Sequence, residues 1–443
     1  MRSLKLSRSV LLGGCSAIAL VCASAAAQAG GYAVREQSTE FQGMSFAGNA
    51  APGGGISSMY WNPATVAHAP AGLTVEAHGA LVLPNSTITG TSTIGGVPTA
   101  VSGIGSGQYA PEAIVPSSYT TFRMTQDLAF GFNVNAPFGF RNGSSNNVWA
   151  GQSFARESQI RTMNYQASVG YRVAPWLSIG AGVQLQTIRA RLVNASGTTA
   201  ASTDVTVEGS DRELGWSAGL TLTPLSGTQI GLGYRSQISH QLDGGANITG
   251  PASAFGTATV RGNTTTPETA TLSLRQALAP QLTLLGSVEW TGWSRLVSLD
   301  IFCPGQANAV FCPAGNGQNV RSLALGWHDG WMYSLGLEYQ VMPSLTLRAG
   351  GAYEKSPIQN ATERTLRVPD ADRIWGSVGA TYKLNNAMSF DLAYTHIWVD
   401  DAPIDRTESG VRFVGNANTS LDIISASFKW KLGAVAHEPT SLK

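Results

Sequence analysis

The side chains that could do chemistry are few and scattered. His68, His78, His240, His328 and His396 are candidate bases, yet none comes with a nucleophile elbow or with a nucleophile, base and orienting group in recognisable order. Cys303 and Cys312 have eight residues between them and no histidine at metal-ligand spacing; in an exported chain that pattern reads as a disulfide more readily than as a metal site. Asn62-Pro63-Ala64 lies within SSMYWNPATV, residues 57–66. Pro63 fixes its own φ and biases Asn62 away from helix, and the Asn62 amide can bond nearby backbone, so the tripeptide is either a rigid corner or an ordinary turn. Arg172, Arg275 and Arg348 could meet a carboxylate or stay solvated. These groups suit binding and gating; they point to no enzyme, no cofactor and no metal.

The elements that would position them begin with export. Arg2, Lys5 and Arg8 precede an apolar run over residues 10–21, and Ala27-Gln28-Ala29 has the small-residue form of a cleavage site, so residues 1–29 read as a signal peptide. Charged residues make up 12% of the chain and glycine 51 of its 443 residues, a composition poor in charge for a water-soluble protein. No mature segment approaches 18 uninterrupted apolar residues, which excludes spanning helices. The net charge of +1 gives no footprint for nucleic acid.

Period-two alternation recurs from about residue 73 to residue 432. Trp331, Tyr333, Leu335, Leu337 and Tyr339 share one face, while Met332, Ser334, Gly336 and Glu338 share the other. Short turns, such as Ala174-Pro175 and Met342-Pro343, alternate with long polar connections at residues 84–111, 142–158, 194–211, 243–266, 303–320, 356–370 and 400–419. Counted this way, the chain is all-β with 14 antiparallel strands, in the pattern of an outer-membrane barrel. In hydrocarbon a sheet must close on itself to pair every backbone group. A soluble sandwich or propeller is the alternative, and persistent one-sided alternation without a blade repeat argues against it.

A barrel of this size is too wide for its own side chains to fill. Residues 30–72 precede the strands, are rich in glycine and lack alternation, so they are expected to fold inward as a plug. The expected organisation is therefore signal peptide 1–29, plug 30–72, transmembrane barrel 73–432 and polar tail 433–443. Pro137 followed by Gly139 within a strand predicts unpaired backbone and a bend, or else the strand's outer end.

The Gly-Tyr mature start, WNPA, APFGF at 136–140, VEWTGWS at 288–294, DGWMYSLGLEY at 329–339, LTLRAGGAYEKSPI at 345–358 and VPDADRIWGSVGATY at 368–382 occur in an order that resembles the FadL family of outer-membrane transporters. The resemblance implies a monomeric barrel of a Gram-negative outer membrane, with an N-terminal hatch at Tyr32, Asn62, Pro63 and Ala64. It implies a lateral opening at a third-strand kink over Asn135, Ala136, Pro137, Phe138 and Gly139. The implied activity is uptake of hydrophobic molecules, long-chain fatty acids or aromatic hydrocarbons, gated by ligand and released into the lipid. A general diffusion porin remains the alternative, although the inward faces carry few charges. The polar tail departs from the family pattern.

Overall fold

The computed structural model describes residues 30–249, 257–305, 312, 315, 317 and 319–432. Residues 1–29, expected to be a signal peptide, the tail at 433–443 and parts of the connections within 243–266 and 303–320 lie outside the described residues.

Fourteen strands form the wall. They are β1 (Gly72–Ile94), β2 (Ala113–Arg123), β3 (Leu128–Asn135, resuming as Gly139–Gly143), β4 (Glu157–Ala174), β5 (Leu177–Ala195) and β6 (Asp204–Leu225). Next come β7 (Thr228–Arg235 and Ile238–Ile248), β8 (Thr257–Thr266 and Thr269–Ala279), β9 (Leu282–Thr291 and Ser298–Phe302) and β10 (Asn319–Ala324 and Gly330–Met342). The wall ends with β11 (Leu345–Lys355), β12 (Arg373–Lys383), β13 (Met388–Val399 and Ala402–Glu408) and β14 (Val411–Leu432). Each pairs antiparallel with its sequence neighbours, and β1 pairs with β14 from Leu73↔Leu432 to Ile94↔Val411, which closes the ring.

Burial runs opposite to that of a water-soluble protein. On β10, Leu335 is 61% exposed and Tyr333 48%, while Met332 between such residues is 2% exposed. Ser425 and Ser427 on β14 point inward and are buried, whereas Ile424 and Trp430 face out. The hydrocarbon-facing side is apolar because lipid solvates it, and the polar side chains turn to the lumen, where they find partners.

The short turns fall where expected, but strand runs well into four of the long connections. β1 continues past residue 84 to Ile94, β6 starts at Asp204, β7 and β8 extend to Ile248 and from Thr257, and β13 and β14 meet through only Ser409 and Gly410. Beyond the lipid both faces of a strand meet polar surroundings, so alternation fades while the hydrogen-bond ladder persists. Gly95-Gly96 (φ 57° and 84°) and Ser409-Gly410 (φ 50° and 80°) supply the positive φ angles that two-residue hairpin turns require.

Residues 30–71 are buried except at a few positions and contain α1 (Thr39–Gln42) and two 3₁₀ turns, Ile56–Tyr60 and Pro63–His68. Hydrogen bonds join this lead-in to inward-facing side chains: Gly48 N–H to Ser287 Oγ at 2.8 Å, Ala50 N–H to Ser273 Oγ at 3.0 Å and Thr39 N–H to His78 Nδ1 at 3.1 Å. Cys303 and Cys312 form a disulfide, packed with Ala246, Ala258, Val260 and Ile301.

Candidate functional site: a seated lead-in, a broken strand and an apolar pocket

The corner at Asn62 is built as the sequence suggests, and the wall is shaped to receive it. Asn62 is fully buried; its Oδ1 accepts from Ala64 N–H at 2.9 Å, capping the turn Pro63–His68. Its Nδ2 donates to Ala50 O at 2.8 Å and to Leu220 O on β6 at 2.9 Å. Close approach to the wall depends on glycine: a Cβ at Gly180 of β5 would fall on the Pro63–Ala64 peptide, and one at Gly219 of β6 on the Asn62 amide. The other 3₁₀ turn is held by Glu76 of β1, which accepts from Ile56 N–H at 2.9 Å and Ser57 N–H at 3.1 Å and pairs with Lys429 at 2.9 Å.

His68 ends the seated turn, with Nε2 2.9 Å from Thr221 Oγ1 and 3.2 Å from Ser178 Oγ. Burial first, and then the Arg172 and Arg123 guanidiniums, hold its pKa down at about 4. A free histidine titrates at about 6.5, so the seated, neutral ring contributes its stability in full above that value, and the contribution is lost as pH falls toward about 4. Acidification from about pH 7.5 to about pH 5 is therefore expected to speed amide hydrogen exchange over residues 62–69, after correction for the intrinsic rate. His68→Gln should flatten that dependence; an unchanged slope in the variant would remove His68 as its cause.

β3 breaks after Asn135. Its ladder to β2 ends at Ser118↔Val134, and no residue of the resumed segment 139–143 pairs with β2. Against β4, Asn135 faces Asn164 and Gly139 faces Arg161, so four steps on β3 oppose three on β4. The lead-in takes up backbone groups released by the break. Val34 N–H donates to Pro137 O at 2.8 Å, Gly139 N–H to Tyr32 O at 2.8 Å, and Gln37 Nε2 to Ala136 O at 2.9 Å. Gln37 Oε1 also accepts from Asn135 Nδ2 at 3.2 Å.

Tyr32 stands at the junction of this patch and an apolar pocket. Its ring packs with Trp293 at 4.7 Å between centroids, Trp327 at 5.9 Å, Phe138 at 6.0 Å and Phe140 at 6.2 Å. With Tyr32 in place the pocket, lined also by Ile188, Leu192 and Leu296, has a volume of about 60 Å³. Sites that hold small-molecule ligands run to roughly 300–1,000 Å³. Among the described residues Arg367 is the one cation on the lining; it donates to Ser158 Oγ at 2.8 Å. Trp327 also lines the pocket, and its indole N–H has no acceptor among the described residues.

Tyr32, Asn62, Pro63, Ala64 and Asn135 to Gly139 thus belong to one connected assembly. Arg172, Arg275 and Arg348 face the lumen, but none is among the residues that line the pocket. Arg172 reaches Ala67 O at 3.5 Å, Arg275 pairs with Glu338 at 2.5 Å, and Arg348 pairs with Glu338 at 2.9 Å and Glu40 at 3.3 Å. Sequence reasoning missed Arg367, Glu76 and the wall glycines. Trp293 lies in the VEWTGWS segment that carries the family resemblance, but nothing in that segment alone gives it a role.

Relatives share this architecture. The Haemophilus influenzae outer membrane protein P1 is 27% identical over 424 residues, covering 86% of this chain and 88% of that one. The long-chain fatty acid transport protein of Escherichia coli is 25% identical over 421 residues, covering 86% and 90%. Among solved structures, a Pseudomonas aeruginosa FadL homologue aligns with a TM-score of 0.81 at 22% identity, covering 90% of this chain and 99% of that one. The Pseudomonas putida toluene transporter TodX aligns at 0.62 and 15% identity, covering 89% and 98%. Residues 20–432 match the family model described as outer membrane protein transport protein (OMPP1/FadL/TodX), and with that match over most of its length the chain belongs to this family of outer-membrane transport proteins, not of enzymes.

Proposed function

We propose that the chain, exported by its signal peptide and cleaved after Ala29, works as a monomer that carries hydrophobic small molecules through the outer membrane. Its cargo class is long-chain fatty acids or aromatic hydrocarbons, as in the relatives' names. Residues 30–71 are the hatch. The observation that carries this reading is that Tyr32 occupies the pocket side while its own carbonyl oxygen, with Val34 N–H, holds the break in β3. A ligand large enough to need the pocket must displace Tyr32, and that displacement releases Pro137 O and Gly139 N–H. The gap between β2 and β3 then opens toward lipid, where each CH₂ kept from water is worth about 0.8 kcal/mol. No covalent step is involved.

Proteoliposomes loaded with the protein should take up oleate or toluene faster than empty ones, without the large steady ion current of an open porin. Absence of uptake for both compounds, together with such a current, would favour the porin. The two cargoes separate at Arg367. A charged partner for a carboxylate is worth about 1.5–3 kcal/mol, so Arg367→Met should weaken oleate binding by roughly 10- to 100-fold and leave toluene binding unchanged. Equal loss for both compounds would show that Arg367 shapes the pocket and does not read a carboxylate.

A further inference from the structure

The outward wall carries a cluster of charge that neither the hatch nor the pocket uses. On the lipid-facing side of β4, β5 and β6, exposed Tyr165, Leu185 and Leu214 form an apolar row in register across the three strands. Further toward the long connections the same face turns to arginine: Arg212 on β6, then Arg161 and Arg189, which oppose each other directly across β4 and β5. Allowing for strand tilt, these side chains leave the wall roughly 5–10 Å beyond the apolar row. That is headgroup depth, and because the short turns are periplasmic it is the depth of the outer leaflet. Carboxylates on this face are already engaged. Glu157 meets Arg141 at 3.5 Å and Arg191 at 3.9 Å, Glu208 meets Arg191 at 3.2 Å, and Asp243 meets Arg261 at 2.5 Å. Arg161 stands 2.9 Å from the Gln159 amide, a neutral partner that leaves its charge unmatched. Among the described residues none of Arg161, Arg189 and Arg212 pairs with a carboxylate. Like charges directly opposite on a sheet are destabilising, so the Arg161↔Arg189 pair is a cost in the isolated barrel. Nor is the cluster part of a uniform basic rim. On the other side of the barrel the residues two steps beyond exposed Ile374, Trp398 and Ile424 are Asp372, Asp400 and Asp422.

We propose that Arg161, Arg189 and Arg212 form a site for the phosphate monoester of an outer-leaflet lipid, whose acyl chains lie against Tyr165, Leu185 and Leu214. Arg189 is directly opposite Arg161, and Arg212 is its diagonal neighbour on β6, since Arg189 faces Ser210. The three guanidiniums thus rise from adjacent strands, within about 10 Å across the sheet. A guanidinium fork matches phosphate oxygens two at a time. A phosphate monoester brings about −1.5 to −2 charge and three acceptor oxygens, enough for more than one fork. A carboxylate carries a single charge and fills one. The depth selects the source, because a group held just beyond an apolar row favours an anion that carries its own hydrocarbon. Arg161 also faces Gly139, the residue at which β3 resumes after its break, so the bound lipid stands at the edge of that break. The site lies outside the barrel and stands whether the cargo is a fatty acid or an aromatic hydrocarbon.

Native mass spectrometry of the purified barrel in a non-ionic detergent, titrated with bisphosphorylated lipid A, tests the site. The unaltered barrel is expected to hold lipid A about 100-fold more tightly than the same lipid stripped of both phosphates. That comparison needs no variant, so it decides the matter even if a substituted chain fails to fold. The triple replacement Arg161→Gln, Arg189→Gln and Arg212→Gln should still migrate as a heat-resistant barrel and bind lipid A about 100-fold more weakly. Lysine at the same three positions keeps the charge but loses the fork, so its loss should be intermediate, roughly 10-fold. Inorganic phosphate and oleate, each in large excess, should leave lipid A bound. Equal affinity for the phosphorylated and stripped lipids, or unchanged affinity in the glutamine variant, would overturn the site. Displacement of lipid A by inorganic phosphate would make this a site for free anions, and displacement by oleate a station for cargo; either result overturns the lipid assignment.

Discussion

A chain with Pro137→Val and Phe138 deleted should fold to a heat-resistant barrel yet show uptake of oleate and toluene at the level of empty liposomes. The deletion removes the extra step between Asn135↔Asn164 and Gly139↔Arg161, so β3 would run in one register along β4. It also restores alternation, since buried Asn135 and buried Phe140 would then lie an even number of residues apart. β2 already extends to Ala113 and is paired along its other edge with β1, so a regular β3 has a waiting partner over the stretch now open. Pro116 on β2 and Pro137 on β3 both lie in that stretch, and neither has an N–H to give, which helps keep the wall unzipped. Straightening the strand would also take Pro137 O and Gly139 N–H from the lead-in. Uptake above about a tenth of the unaltered rate, in a variant shown to be fully paired, would mean that cargo does not leave through this gap, since the expected effect is loss of the only proposed exit.

The double replacement Asn62→Ala with Pro63→Ala should have the second largest effect, unseating the lead-in while the wall stays whole. Ala50 O and Ala64 N–H, both buried, lose their side-chain partner at once, and Leu220 O loses the Asn62 amide. Each orphaned buried group costs about 1–3 kcal/mol, and relaxation of the freed segment recovers part of it. Asn62 and Pro63 lie in the lead-in and pair with no strand of the wall, so heat-resistant migration on gels should persist. Saturable uptake should vanish and a steady ion current should appear in planar bilayers. Normal uptake with no current would mean that the corner is dispensable.

How far the sequence speaks depends on what enforces a pattern. Where lipid touches one side of a strand and the lumen the other, as along β10 and β14, alternation is obligatory, and strand number, facing and short turns could all be read. Past the lipid that constraint ends, so the extensions of β1, β7, β8 and β14 read as loops in the sequence, although Gly95-Gly96 is a hairpin signal in plain view. The Asn-Pro-Ala corner was legible because proline and asparagine act on their own backbone. Its seat was not, because Gly180 and Gly219 owe their meaning to residues more than 100 positions away. The aromatic box around Tyr32 likewise draws on Phe138, Trp293 and Trp327, which only the closed ring brings together. Arg275 and Arg348 could be expected to meet a carboxylate or stay solvated; the carboxylates that pair with them come from other strands and the lead-in, which no local pattern reveals.

The seam between the first and last strands has a consequence for biogenesis. It runs from Leu73↔Leu432 to Ile94↔Val411, and one of its two strands, β14, is made after the other thirteen strands of the wall. The inner segment precedes the first strand and lies within the circle that this final zipper completes. It must therefore be housed before the zipper shuts, or be threaded afterwards through a finished cylinder. The natural order of assembly is contents first and closure last, with the C-terminal strand acting as the fastener.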